Sequence, residues 1–146
     1  MPSKKEPGIF LLLAVFMTLF LTACSEDALT NPPVKPEVLN AFKAEPTTNQ
    51  GDPTKGEKVF MRLPCLTCHE LNGQGTEHNF GPELDHIGTT AATRLAGVNA
   101  AQYIRHALLS PQELSLPEFK PVMPGFGTTV SNQEINDLVA FLLNQK

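Results

Sequence analysis

Apolar positions along this chain fall into one continuous run and three helical stripes. The run, Ile9 to Leu21, is almost wholly apolar and sits behind Lys4 and Lys5. The stripes lie further on. Asp52-Pro53 makes a cap and first turn for a helix through Leu63, with Gly56, Val59, Phe60 and Leu63 on or near one face. Tyr103, Ile104, Ala107 and Leu108 define a second helix over Asn99 to Leu109, stopped by Ser110-Pro111. In the third, Ser131-Asn132-Gln133-Glu134 has the capping-box pattern, and Ile135, Leu138, Val139, Phe141 and Leu142 come after it at helical spacing. Turn-rich segments separate these helices, notably Gly73 to Gly88 and Ser115 to Thr129, and neither an internal repeat nor a strand pattern stands out. The pattern predicts an all-α domain over residues 51–146 with long loops, and loops of that length in a small domain usually hold something.

The N-terminal run has a different meaning. A charged n-region, a short apolar segment and small residues at Leu21-Thr22-Ala23-Cys24 are the layout of a secretory signal over residues 1–23. A spanning helix needs ~20 apolar residues, so a permanent transmembrane anchor is the weaker alternative. Leu-Thr-Ala-Cys also resembles the lipobox of bacterial lipoproteins, which implies cleavage before Cys24 and acylation of that cysteine. An ordinary cleavage site with a stray Cys24 behind it is the alternative, but a free odd thiol in an oxidising compartment is a liability. Two or three acyl chains hold a protein firmly where one does not. The expectation is an exported protein, anchored by lipid to a membrane and facing the periplasm or the cell exterior.

Residues 24–50 then read as a Pro-rich tether. Asn31-Pro32-Pro33-Val34-Lys35-Pro36 and Glu45-Pro46-Thr47-Thr48 show no apolar periodicity. Val38, Leu39 and Phe42 fit a short helical patch or docking point, with solvated linker the preferred expectation. Such a tether extends to roughly 80 Å at ~3.1 Å per residue.

Composition narrows the function. The 146 residues carry 11 Lys+Arg against 15 Asp+Glu, a net charge of −4 without a basic patch, which argues against nucleic acid as a partner. Thirteen Pro, ten Gly, no Trp and nine Phe make a core that is thin for the chain's size, a shortfall that a cofactor filling the interior would make good.

Cys65-Leu66-Thr67-Cys68-His69 supplies the chemistry. A structural zinc site needs about four Cys and His ligands, typically with a second pair some distance away, and no second Cys pair exists. A thioredoxin-like redox pair expects a βαβ context. Covalent haem attachment remains: C-x-x-C-H allows two thiols to add to the two vinyl groups of haem, and the next residue places an imidazole under the iron. The three residues fall within about one helical turn, and attachment outside the cytoplasm agrees with the export signal. With His69 as one axial ligand, His78, His86, His106 and Met123 are candidates for the other. Met123 stands in Pro121-Val122-Met123-Pro124-Gly125-Phe126, too broken by proline and glycine for a core helix. A loop presenting a soft thioether suits electron transfer and raises the potential, so Met123 is the preferred ligand. A bis-histidine site and an open site are the alternatives; His106, in mid-helix, is expected to face solvent or the haem edge.

Over Asp52 to Lys146 the chain resembles the monohaem class I c-type cytochromes, in a lipoprotein form. The resemblance implies three to five helices around one covalent haem c, with first and last helices crossing near one haem edge. It matches Cys65 and Cys68 to the thioether cysteines, His69 to the proximal ligand and Met123 to the distal one. Gly56 and Phe60 match the first-helix positions that meet Leu138 and Phe141. Gly81-Pro82-x-Leu84 resembles the loop whose proline carbonyl accepts the Nδ1–H of the proximal histidine, which makes Pro82 part of the cofactor site. The absence of Trp departs from many members, in which one lies near a haem propionate; Tyr103 or Arg105 is expected to stand in. The run from Tyr103 through Ser110-Pro111 to Met123-Pro124 looks like haem c domains of respiratory membrane complexes. The resemblance thus implies an electron carrier rather than an enzyme, moving single electrons between respiratory or photosynthetic chain components. Its partners are a redox donor and acceptor, with no small-molecule substrate. The alternative is a fixed subunit of a quinol-oxidising or terminal oxidase complex, such as alternative complex III. A peroxidase-like or gas-sensing enzyme would need an exchangeable iron site.

Overall fold

Three polar side chains start the three expected helices. Asp52 accepts from the backbone N–H groups of Thr54 and Lys55. Asn99 with Gln102, and Ser131 with Glu134, close complete capping boxes. The computed structural model describes residues 34–75, 80–114 and 116–146. Among them the α-helices, in chain order, are α1 (Pro36–Ala44), α2 (Pro53–Arg62), α3 (Ile87–Arg94), α4 (Ala100–Leu109) and α5 (Asn132–Leu143). Single 3₁₀ turns occupy Cys65–Thr67 and Pro111–Glu113. The signal segment, Cys24 and His78 lie outside the described residues, and no described helix is long and apolar enough to cross a membrane.

The frame is the crossing of α2 with α5, as the resemblance implied. A Cβ placed on Gly56 would lie 1.9 Å from the carbonyl oxygen of Asp137, so only glycine permits this approach of the two backbones. Beside it the rings of Phe60 and Phe141 meet at 5.3 Å. Phe60, Ile135, Leu138 and Val139 are almost wholly buried there. Helix α4 packs on α5 from a second side, and α3 packs on α4. The fold is all-α.

A small exception is a two-residue hairpin, β1 (Glu70–Leu71) with β2 (Gln74–Gly75), antiparallel with Glu70 opposite Gly75. Asn72 and Gly73 turn it with φ of 51° and 70°, the conformations a two-residue type I′ turn requires. Strands this short carry no alternation to see in a sequence.

The folded body begins earlier than expected. Residues 36–49 belong to the folded body. Phe42 is 0 % exposed, with its ring 5.7 Å from Tyr103 and 4.0 Å from His106. Polar side chains on α4 and its cap secure the backbone beyond it: Gln102 donates to the carbonyls of Lys43 and Glu45, and Asn99 to that of Thr47. Asn49 in turn donates to the carbonyl of Asn136. The physical reason is that Val38, Leu39 and Phe42 form one amphipathic face over barely two turns. That is too little for a helix in isolation but enough when a prepared surface receives the phenyl ring. Helix α3 also escaped notice, since Ile87-Gly88-Thr89-Thr90 is a poor helix former by propensity. The chain end holds it, through the Gly88 N–H bonded to the Gln145 carbonyl at 2.8 Å.

Candidate functional site

Between α2, α4, α5 and the two long loops lies a cavity of about 340 Å³. One wall comes from the segment after α2. Pro64 ends the helix geometry, and the Cys65–Thr67 turn bonds the N–H groups of Cys68 (3.1 Å) and His69 (2.9 Å) back to the Cys65 carbonyl. This tight turn brings Cys65, Cys68 and His69 together on the cavity wall. The two thiols are not disulfide-bonded. Burial pushes the Cys65 thiol up to about 11. Among the described residues no three of His, Cys, Asp and Glu converge as metal ligands.

His69 is oriented by its neighbour across the loop. Its Nδ1 lies 2.7 Å from the Pro82 carbonyl oxygen. A carbonyl only accepts, so Nδ1 carries the hydrogen and the neutral ring keeps its lone pair on Nε2. Burial holds His69 below the usual histidine value, and the Pro82 carbonyl opposes that shift without cancelling it. The result is a neutral imidazole with a fixed tautomer, the form that ligates metal. Gly81 gives the ring room: a Cβ there would come within 2.5 Å of His69 Cε1.

Met123 contributes to the same cavity from the loop before α5, with Pro121, Val122 and Pro124 beside it. That loop is held at both flanks. Gln112 donates its side-chain N–H to the Met123 carbonyl at 2.7 Å. Downstream, the Phe126 N–H bonds the Leu108 carbonyl at 2.8 Å, and the N–H groups of Thr129 and Val130 return to the Phe126 carbonyl. The structure therefore gathers all five expected residues within the described chain, Cys65, Cys68, His69, Pro82 and Met123, around one space. Of the other histidines, His86 is exposed at the start of α3 and does not line the cavity. His106 does not line it either: it is 4 % exposed and bonded to Glu113, contrary to the expectation of solvent or haem edge. It is buried because Phe42 covers its ring.

One residue of the site was not foreseen. Arg94, the last of α3, lines the cavity, its guanidinium carbon 6.0 Å from the Tyr103 ring centre. Its Nε is buried with no hydrogen-bond partner. Nothing in the sequence marks it, because the helix that delivers it is itself unmarked. Tyr103 lines the cavity as expected, and burial raises its hydroxyl above the usual tyrosine value while Arg94 opposes the shift. Arg105 does not belong there: it pairs with Glu45 and Asn136 on the far side of α4.

The donor set fits a haem. Apolar walls from Phe60, Leu84, Ile104, Leu108 and Leu138 suit a flat macrocycle, and an imidazole lone pair and a thioether suit its iron. The buried, unpartnered Arg94 Nε–H has the chemistry to meet an acidic edge group. Residues 53–146 match the sequence model of a family described as Cytochrome c. No curated protein matches the chain.

Proposed function

Because the chain belongs to the cytochrome c family, whose members are electron-transfer proteins with covalently bound haem c, we propose that it is a membrane-tethered monohaem carrier outside the cytoplasm. It would pass single electrons between components of a respiratory or photosynthetic chain. The observation that carries the site assignment is the 2.7 Å bond from His69 Nδ1 to the Pro82 carbonyl in the cavity that Met123 and both thiols also line.

Cys65 and Cys68 would hold the haem through thioethers, His69 Nε2 and the Met123 sulfur would be the axial donors, and Arg94 with Tyr103 would face a propionate. Bound there, the haem supplies the one-electron ferric–ferrous couple. The chain's own work is to keep that couple dry and its ligands still. Pro82 locks the imidazole tautomer and increases its basicity. Leu84, Ile87, Leu108, Phe126 and Leu142 exclude water, which disfavours the more charged ferric state.

Cys24 would be acylated and the protein held at the membrane by it. With α1 packed on the domain, the tether is reduced to residues 24–35, about 12 residues reaching roughly 40 Å when extended and about 20 Å as a coil. That short reach favours a second function, a fixed subunit of a quinol-oxidising or terminal oxidase complex. The docking point considered for Val38, Leu39 and Phe42 does not add to it, since Phe42 is buried inside the fold.

Two measurements test these assignments. In Met123→Ala, redox titration is expected to give a potential lower by on the order of a few tenths of a volt, within the ~0.8 V range that axial ligands span; an unchanged potential removes Met123 from the iron. A native gel of mild-detergent membranes, stained for covalent haem, separates carrier from subunit. Migration near the mass of one domain supports the carrier, and co-migration with a large assembly supports the subunit.

A further inference from the structure

On the face of α4 turned from the cavity lies a charged cluster that the proposed electron transfer does not use. His106 is 4 % exposed there. Its Nε2 is 3.0 Å from Glu113 Oε2, in the Pro111–Glu113 turn. Its Nδ1 is 3.4 Å from Glu45 Oε1, at the end of α1. Phe42 of α1 covers the ring at 4.0 Å. The other oxygen of Glu45 meets Arg105 Nε at 3.1 Å, and Arg105 also donates to Asn136 of α5.

Hydrogen-bond valence makes this arrangement conditional. A carboxylate only accepts, and a neutral imidazole has a single N–H. Both carboxylates accept from the ring at once only when it carries two protons. In that form two cations, His106 and Arg105, stand against two anions, Glu45 and Glu113. Without the second proton one carboxylate faces a lone pair of a ring that is itself buried, and that contact turns from attractive to repulsive.

The clasp reaches the cavity through the turn. Glu113 is next to Gln112, which donates to the Met123 carbonyl, and Pro111 and Leu114 of the same turn line the cavity. The Ser110 N–H returns to the His106 carbonyl at 2.7 Å. We propose that His106 is a positioning residue, a proton-dependent clasp. Doubly protonated, it joins α1 to the Pro111–Glu113 turn and so steadies the segment that carries Met123; deprotonated, it lets both loosen. This goes beyond the proposed function, and only its consequence for iron rests on the ligand role of Met123.

The test is amide-exchange protection in the full-length haem protein, corrected for the intrinsic pH dependence of exchange, from about pH 5.5 to about pH 8, the range in which histidine changes charge. Protection at Glu45, Leu114 and Phe126 is expected to fall about tenfold with rising pH, while Leu63 in the α2 frame stays constant. His106→Gln should abolish the pH dependence. So should Glu113→Gln, which alters a half-exposed side chain and leaves the core intact should His106→Gln fail to fold. Flat protection in the wild type, or an undiminished fall in Glu113→Gln, overturns the clasp. The sulfur-to-iron charge-transfer band of the ferric protein is a separate readout, expected to weaken over the same range. If it is absent at every pH, the ligand role of Met123 fails while exchange still decides the clasp. If it stays constant while protection falls, the clasp stands and its link to the iron is overturned.

Discussion

The two walls of the cavity are built by different means. The wall bearing Cys65, Cys68 and His69 is local: one 3₁₀ turn, one two-residue hairpin, and one bond from His69 to a carbonyl 13 positions away. The wall bearing Met123 is assembled from distant parts. It leans on Gln112, on the Phe126–Leu108 backbone bond, and through Glu113 and His106 on a helix more than sixty residues earlier in the chain. A local wall survives disturbance elsewhere, because its geometry is set by neighbours in sequence. A composite wall inherits the stability of every piece it borrows. Under the proposed function this division would have a use, since the wall proposed to hold haem would present its thiols and imidazole reliably while the Met123 wall would be free to respond.

The largest expected effect that would sharpen this contrast comes from Phe42→Ala. Emptying a fully buried ring site costs about 3–5 kcal/mol, measured as a drop in the denaturant midpoint. The loss should be accompanied by faster amide exchange at Phe126, with Leu84, whose N–H bonds the Glu70 carbonyl beside the hairpin, unaffected. Equal acceleration on both walls would break the comparison. Gly81→Ala is the converse. It presses a methyl group onto the His69 ring and should cost about 1–3 kcal/mol by overpacking, with the disturbance confined to the attachment wall in the same exchange experiment. Gln112→Ala removes one side-chain bond to the Met123 carbonyl. It should lower stability by about 1 kcal/mol and shift the potential by less than Met123→Ala does.

The smallest effect belongs to neither wall. Arg62 and the Ser131 cap hold the Glu134 carboxyl down to about 2. A carboxylate with a depressed value contributes stability that is complete above its ordinary range and disappears as pH falls toward 2. Because the pair is exposed, the contribution is small. Glu134→Gln should flatten the acid limb of the stability profile slightly and leave the protection of both walls unchanged; a change confined to the Met123 wall would contradict its independence.

Legibility in the sequence ran along the same division. The apolar spacing of Tyr103, Ile104, Ala107 and Leu108 announced one helix, and caps at Asp52 and Ser131 announced the other two because a capping side chain and its N–H partners lie within three residues. The thiols and imidazole were visible for that reason too. Gly81-Pro82 was found only through the family pattern, which the 2.7 Å bond to His69 then matched. Arg94 was hidden, since its helix is held by the far chain end rather than by its own propensity. His106 was misplaced, since what covers it comes from a segment that looked like linker.

The order of residues alone therefore determined the all-α class, the attachment motif, the helix starts and the candidacy of Met123, all of which depend on spacing or on interactions a few residues long. Tertiary structure decided where the folded body begins, which histidine is buried, which arginine faces the cavity and what steadies the methionine loop. Each of these turns on a weak local preference, and such a preference is settled only when a surface formed by distant residues buries an apolar ring or completes a hydrogen bond.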